Sequence, residues 1–428
     1  MDFLNFKGIV MLKKIFIYSA ASILSTQVFS GSFIDNSNIK LTTKNYYLDR
    51  NFTDFKPIPG AKDWAQGFIF NFNSGYTSGP IGFGLDLQTL SSIKLQGDKK
   101  YLNSGLLTTD SITRERADTA SELGATFKAK YKATELKIGT IQPWTPVIFS
   151  SPSRLLPQTF RGTMFQSKEI KNLELIGGYI DQVNHRDSTN HEDLSNSAFN
   201  GRFKVGKTDK LLFIGGKYSF SPSTQTGLYF AQVDNLYDQS AFTFKNTYTF
   251  NEQLNLISDL RFWNSTDQGQ ALAGNVNNTL LTGNFGLNYE NHTLTFSTMK
   301  NFGDTAHPYL SGGEVLIFID GWSTDFLNPD EKVYGIRYDY DFKNYLPGLK
   351  FMTRYTKGTN INLANLGGHD LEEDSLDFDI QYTLQSSMFK GLAFRTRYAM
   401  YDNNFNQTAS FKPADELRFN LDYTWTFK

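Results

Sequence analysis

The C-terminal segment of the chain alternates strictly between apolar and polar residues. Every second residue from Leu417 to Phe427 is apolar or aromatic, and each residue between them, together with Lys428, is polar. Because the side chains of a β-strand point alternately to its two faces, the pattern predicts a strand with one apolar face and one charged face. Such a strand suits a transmembrane β-barrel, whose outer face contacts lipid and whose inner face contacts water.

The same alternation recurs along the chain, and no helical periodicity of comparable length appears. The clearest further segments are 242–250, 254–262, 281–289, 336–342 and 376–384. Short polar turns are predicted at 251–252, 290–291 and 346–348, and long loops near 95–120, 184–197, 267–278, 303–331 and 359–373. Short turns at one end and long loops at the other are typical of an outer-membrane barrel. We therefore predict an all-β fold, a single transmembrane antiparallel β-barrel.

The N-terminal residues have the layout of a secretory signal peptide. Met11 is followed by Lys13 and Lys14, then by a mostly apolar run from Ile15 to Phe29 that ends in small residues. This run is too short to span a membrane comfortably. We predict translation from Met11, a signal peptide within residues 1–30 and a single barrel domain over 31–428. One strand with half of a short turn and half of a long loop takes roughly 20 to 25 residues. The length of the barrel domain therefore allows about 18 strands, with 16 possible.

Composition excludes several other classes of protein. The chain has 38 Phe, 22 Tyr and 5 Trp, yet past the leader it has no run of eighteen apolar residues, which excludes a helical membrane protein. It has no cysteine, and its formal net charge of −1 gives no signal for a nucleic-acid partner. No enzyme motif is present, and five histidines are predicted in exposed turns or loops: His185, His191, His292, His307 and His369. We expect no catalytic activity, no metal site and no cofactor.

Four stretches of the chain resemble the OprD family of substrate-specific outer-membrane porins. They are Ser74–Asp86, Ser153–Gly162, Gly303–Leu310 and Phe351–Tyr355, and they occur in the family's order. The resemblance implies an 18-stranded barrel in the outer membrane of a Gram-negative cell, as a monomer or a loose homotrimer, narrowed by inward-folded loops. It also implies uptake of small carboxylate-bearing nutrients such as amino acids or organic acids.

Strand parity predicts a set of basic side chains that point into the lumen. The inward positions are Arg261, Arg337, Lys350, Arg354, Arg395, Arg397 and Arg418, and Lys44 and Arg50 in the first strand are added to them. The resemblance suggests that such residues form a basic ladder that guides a solute carboxylate. Alternatively, the arginines are structural partners of inward aspartates, for which Asp339, Asp341, Asp377, Asp379 and Asp422 are available.

Two loops are further candidates for the pore. The segment from Trp144 to Phe165 contains Pro146, Pro152 and Pro157, which oppose strand pairing, and the resemblance favours an inward-folded constriction loop that carries Arg154 and Arg161. In the loop that begins at Gly303, Asp304 could meet a cationic amine or simply stabilise a turn.

Three functions remain open from the sequence. We favour a substrate-selective porin for passive uptake through a lumen lined by Arg and Lys. A general-diffusion porin is the first alternative, and it requires that the proline-rich loop does not narrow the lumen. A secreted all-β surface or binding protein is the second, because soluble β-sandwiches also alternate.

Overall fold

The computed structural model describes residues 31–55, 57–319 and 321–428. The predicted signal peptide, residues 1–30, lies outside the described residues. Apart from one turn of helix, α1 (Gly31–Asp35), and two short 3₁₀ segments (Phe199–Gly201 and Ala364–Leu366), the regular structure is β. In the described residues no helix is long and apolar enough to cross a membrane.

Twenty strands follow α1 along the chain. They are β1 (Asn38–Phe52), β2 (Gly60–Asn73), β3 (Gly82–Gly97), β4 (Thr119–Tyr131), β5 (Thr134–Ile141), β6 (Thr159–Ser167), β7 (Leu173–Asn184), β8 (Leu194–Ser195), β9 (Lys207–Thr208), β10 (Leu211–Ser221), β11 (Thr224–Val233), β12 (Tyr237–Thr249), β13 (Leu254–Asp267), β14 (Asn277–Tyr289), β15 (His292–Phe302), β16 (Lys332–Asp341), β17 (Leu349–Leu363), β18 (Gly368–Thr383), β19 (Ala393–Asn403) and β20 (Ala414–Thr426).

Eighteen of these strands form one closed antiparallel barrel. Each barrel strand pairs with the next one along the chain, and β1 also pairs with β20, so the sheet has no free edge. The two-residue strands β8 and β9 form a separate small sheet inside the β7–β10 loop. The predicted all-β barrel of about 18 strands is confirmed.

The register of the strands separates an inner from an outer face. Tyr46 lies opposite Asn420 of β20 and Ala65 of β2, and all three side chains are buried inside the barrel. On the opposite parity, Tyr47 packs edge-on against Trp64 at the exposed surface. Exposed aromatic and aliphatic side chains such as Leu228 continue this outer face, as a lipid contact requires.

The connections differ strongly in length at the two ends of the barrel. Turns of two residues join β4 to β5 and β14 to β15, whereas the connections at the other end include the loops 98–118, 142–158, 185–210 and 303–331. The prediction of a long loop at 359–373 is wrong. In this segment β17 continues to Leu363 and β18 already begins at Gly368. The strands are extended because apolar side chains at the end of this hairpin, including Ile361, pack on Leu366 and Ala409.

Several long loops fold back into the barrel. Val147 and Ile148 of the β5–β6 loop (142–158) and Phe326 of the β15–β16 loop (303–331) join wall residues such as Trp263 in the largest buried apolar cluster. The indole nitrogen of Trp263 donates a hydrogen bond to the carbonyl of Pro146 at 3.0 Å. These contacts fix both loops against the inner wall, so they narrow the lumen.

A glycine of the wall makes room for the β5–β6 loop. A Cβ atom at Gly67 would lie 2.9 Å from Cγ of Leu155, closer than real Cβ contacts. Leu155 is fully buried against Tyr46 and Leu48 of β1. The loop therefore lies directly on the inner faces of β1 and β2, which brings its own Arg154 next to Lys44 of β1.

Candidate functional site

Ten of the candidate cations lie on strands, and all of them except Arg161 have the inward parity. The strand registers place Arg337 opposite Arg354, and Arg397 opposite Arg418, on the face that encloses the lumen. Lys44 and Arg50 share the inner face of β1 with the buried Tyr46. The period-two alternation is therefore sufficient to place these side chains on the correct face.

One side of the lumen carries cations that are each paired with a carboxylate, and we call it the paired wall. Its pairs are Arg261–Asp259 at 3.0 Å, Arg337–Asp339 at 2.6 Å, Lys350–Asp341 at 3.8 Å, Arg354–Asp377 at 2.5 Å, and Arg395–Asp379. A pair of opposite charges largely cancels at a distance, so these residues contribute little net field to the lumen. For four of these cations the structure contains an aspartate partner that the sequence offered, and Arg261 pairs instead with Asp259, which the sequence analysis did not name.

Three other cations lie together without a carboxylate partner, and we call them the unpaired cluster: Lys44, Arg154 and Arg397. Within the described part of the chain, no carboxylate oxygen lies within 4.0 Å of their side-chain nitrogens. Lys44 donates to the carbonyl of Arg154 at 2.6 Å, and Arg397 donates from Nη2 to Oδ1 of Asn420 at 2.8 Å. Asp422 lies opposite Lys44 in the β1–β20 register, but it is one negative charge against three positive ones, so the cluster keeps a net positive charge.

The surroundings of the unpaired cluster make an anion favourable there. Desolvation inside the barrel, followed by repulsion from Arg418 and Arg186, lowers the pKa of Arg154 to about 9, so it stays a cation at neutral pH but at a cost. The buried Nε of Arg397 has no hydrogen-bond partner. A solute carboxylate would supply both the missing acceptor and the missing negative charge.

Arg50 and Arg418 share one carboxylate beside the unpaired cluster. Both guanidinium groups contact Glu416, whose side chain is fully buried, and both also donate to the carbonyl oxygen of Trp322. Glu416 and Arg418 lie two residues apart on the same strand face, so their pairing follows from β20 alone. This group of three charges keeps one net positive charge.

One candidate residue does not lie where the sequence analysis placed it, and another has the second of its two predicted roles. Arg161 belongs to β6, which starts at Thr159, and it points away from the buried Phe160, exposed and paired with Asp181 at 2.8 Å. The proline-rich loop therefore ends at residue 158. Asp304 is exposed and accepts a hydrogen bond from Asn277 Nδ2 at 3.0 Å, which corresponds to the turn-stabilising alternative.

The prediction of exposed histidines in turns or loops is wrong for three of the five. His307 is buried in the β15–β16 loop, edge-on to Trp263, and desolvation lowers its pKa to about 3. His292 begins β15 and His369 lies in β18, although both are exposed. Among the residues that the structure describes, no three acidic or histidine side chains could hold a metal ion together.

The β15–β16 loop supplies acceptors that sequence reasoning missed. Its backbone carbonyls at Leu316, Phe318 and Trp322 accept hydrogen bonds from Arg261, Arg354 and Arg418 in turn. The loop thus runs across the lumen from the paired wall to β20. The sequence signal was the apolar run that ends in Phe318-Ile319, followed three residues later by Trp322, which is unusual for a polar connection.

A cavity of about 450 Å³ lies between this loop and the paired wall. Phe318 and Ile319 cover it, and its wall includes Arg337, Arg354 and neutral polar residues of β14 and β15 such as Ser297. The cavity is thus part of the lumen, and both of its arginines are paired with a carboxylate.

Comparison with known proteins gives consistent matches over the whole barrel. The model of the family described as outer membrane porin, OprD family, matches residues 31–427. Porin D of Pseudomonas aeruginosa is 30% identical over 427 residues, which cover 94% of this chain and 94% of that protein.

Solved structures agree with the family match. Acinetobacter baumannii OccAB2 is 51% identical with a TM-score of 0.90, covering 93% of this chain and 100% of that chain. Pseudomonas aeruginosa OpdK, solved with vanillate, is 31% identical with a TM-score of 0.85 over 92% of this chain and 100% of that chain. The secreted soluble alternative is therefore wrong. The chain belongs to the OprD family of substrate-specific outer-membrane porins, which are channels of the outer membrane rather than enzymes.

Proposed function

We propose that this porin mediates passive uptake of small carboxylate-bearing solutes, such as organic acids or amino acids. The observation that carries the proposal is the unpaired cluster of Lys44, Arg154 and Arg397, which leaves uncompensated positive charge on one side of a narrowed lumen. Rings of Arg or Lys select anions at such close quarters. One structural relative was solved with vanillate, a carboxylate anion, which supports the same class of solute.

The division of the lumen into two sides gives each side a role. The unpaired cluster binds the carboxylate, because Arg presents a planar set of donors matched to the two oxygen atoms. The paired wall, whose charges alternate in sign, contacts the rest of the solute without competing strongly for its charge. Binding stays reversible because each contact is only one of several similar ones along the path.

The lumen of each chain is complete without a partner, because the 18 strands close on themselves. We propose that the porin acts as a monomer or as a loose homotrimer with one pathway per chain. Chemical cross-linking in outer-membrane vesicles would test this, and a single pathway shared between chains would contradict it.

A liposome-swelling panel tests the proposed solute class. Purified porin should admit propionate, benzoate and a neutral amino acid faster than a neutral sugar of similar size, because only the first three carry a carboxylate. In planar bilayers, propionate should also block the chloride current in a concentration-dependent way. Equal swelling rates for all solutes together with no block would point instead to a general-diffusion porin.

A further inference from the structure

The carbonyl oxygen of Trp322 lies at a position that a solute anion could occupy. Arg418 Nη2 donates to it at 2.5 Å and Arg50 Nη2 at 3.2 Å. Both guanidinium groups already share the carboxylate of Glu416. Two converging arginine donors that meet at one oxygen atom form the geometry of an anion site, and here a neutral backbone oxygen of the chain itself occupies it.

The charges around this oxygen favour its replacement by an anion. Two cations face one carboxylate, so the group keeps one positive charge, and the side chains of Arg418 and Glu416 are only 3% and 0% exposed. A carbonyl offers a partial charge, whereas a carboxylate offers a full one and forms hydrogen bonds to guanidinium that are roughly twice as strong. A solute carboxylate that moves on from the neighbouring Arg397 is therefore a stronger acceptor for Arg50 and Arg418 than the carbonyl of Trp322 is.

The loop segment around Trp322 depends on these arginine contacts. We call residues 321–323 the loop tip, because the next residue, Thr324, is held by a hydrogen bond to Glu373 at 2.6 Å. The Trp322 ring centre lies 5.6 Å from the guanidinium carbon of Arg397 and 6.0 Å from that of Arg418, and Ser323 Oγ lies 3.4 Å from Glu416. Most described contacts of Trp322 and Ser323 therefore go to the basic residues or to their carboxylate.

Both sides of the loop tip are anchored elsewhere. Before it, the carbonyl of Leu316 accepts a hydrogen bond from Arg261. After it, Asp325 forms two hydrogen bonds of 2.7 Å with Arg202 of the β7–β10 loop. The tip can therefore leave the arginines while the rest of the loop stays in place.

We propose that the Trp322 carbonyl is an internal substitute for a solute carboxylate, and that a carboxylate which binds Arg50 and Arg418 displaces the loop tip from them. The proposal rests on the proposed function, because it concerns the same class of solute. It adds that the solute itself opens part of its own path. Smaller inorganic anions such as chloride, which cannot bridge both donors with two oxygen atoms, should displace the tip less.

A single cysteine can report this displacement, because the natural chain contains none. Ser323 is 4% exposed, so Ser323→Cys should react slowly with a neutral maleimide while the tip is docked. The rate should rise by roughly fivefold or more when sodium propionate replaces sodium chloride at equal ionic strength, the factor that corresponds to losing the net contribution of one hydrogen bond.

A matched control separates tip movement from general loosening. Ser92→Cys lies on the inner face of β3, where the serine is 3% exposed beneath the other inward loop. Its reaction rate should be the same in both salts. If Ser323→Cys does not assemble, Trp322→Cys at the adjacent half-buried position reports the same movement.

The outcomes distinguish this proposal from the proposed function. Current block by propionate, measured on the same cysteine variant, tests carboxylate binding by itself. Block together with an unchanged or slower reaction at Ser323→Cys would overturn the displacement of the tip and leave carboxylate uptake standing. The absence of both block and rate change would reject carboxylate uptake and the displacement with it.

Discussion

Replacing Arg397 by Gln removes one charge from the unpaired cluster with little change in shape. Glutamine keeps an amide donor for Asn420 and Tyr46, which accept from Arg397 at 2.8 and 3.2 Å. Two unit charges 4 Å apart interact by about 1 kcal/mol in water and by about 4 kcal/mol at an effective dielectric constant of 20. Arg397 is only 9% exposed, so the interaction energy that its loss removes should exceed the value for two charges in water. We therefore expect the propionate concentration for half-maximal block to rise by about fivefold or more.

The paired wall supplies the control for this experiment. The double change Arg337→Gln and Asp339→Asn removes one cation and its carboxylate, which lie 2.6 Å apart, so the net charge of the lumen is unchanged. Block and reversal potential should stay close to the wild-type values. Measurements belong at low salt, because at 0.1 M the screening length is about 10 Å. If the double variant weakened block as much as Arg397→Gln, net charge at the unpaired cluster would not be what selects the solute.

Two further predictions concern stability and export. Burial, with the neighbouring Glu373, raises the pKa of Glu331 well above its usual range, so the folded loop binds a proton that the unfolded chain releases at lower pH. Stability from this group is present below the ordinary carboxyl pKa and is lost as pH rises through the raised one. The thermal midpoint should accordingly fall less between pH 5 and pH 9 for Glu331→Gln than for wild type, and equal falls would contradict the assignment. We also propose that residues 1–30 are removed during export. Mass spectrometry of porin from outer membranes should then find Gly31, or a residue next to it, at the N-terminus, and an intact Met11 terminus would contradict this.

The strand faces could be predicted from sequence because alternation is a local property. Arg395 and Arg397 could be placed inward from their own strand alone, and the registers agree. Some ion pairs were visible by the same rule, since Arg337 and Asp339 lie two residues apart on one face. The pair Arg354–Asp377 could not be predicted in this way, because it depends on the register between β17 and β18.

The errors concern features that tertiary packing decides. The prolines from Pro146 to Pro157 predict a loop that includes Arg161, but β6 already begins at Thr159, where Phe160 enters the apolar cluster and Arg161 points outward. The role of Trp322 could not be predicted, because the apolar residues of this loop have no strand periodicity that would assign them a face or a partner. Only the fold shows that this loop crosses the lumen to reach Arg418.

The pairing of β1 with β20 also constrains how the porin is made. Asn38 near the start donates a hydrogen bond to the carbonyl of Lys428 at the end, so the contact that closes the barrel joins residues 390 positions apart. Bringing such distant segments together costs about 5 kcal/mol in chain entropy by the length-dependent term alone. That contact can form only after β20 has been synthesised and delivered, since the first strand of the barrel pairs with the last. Until then both strands keep open edges that can pair with other chains, so the time between translocation and closure is when this protein most needs assistance from assembly factors.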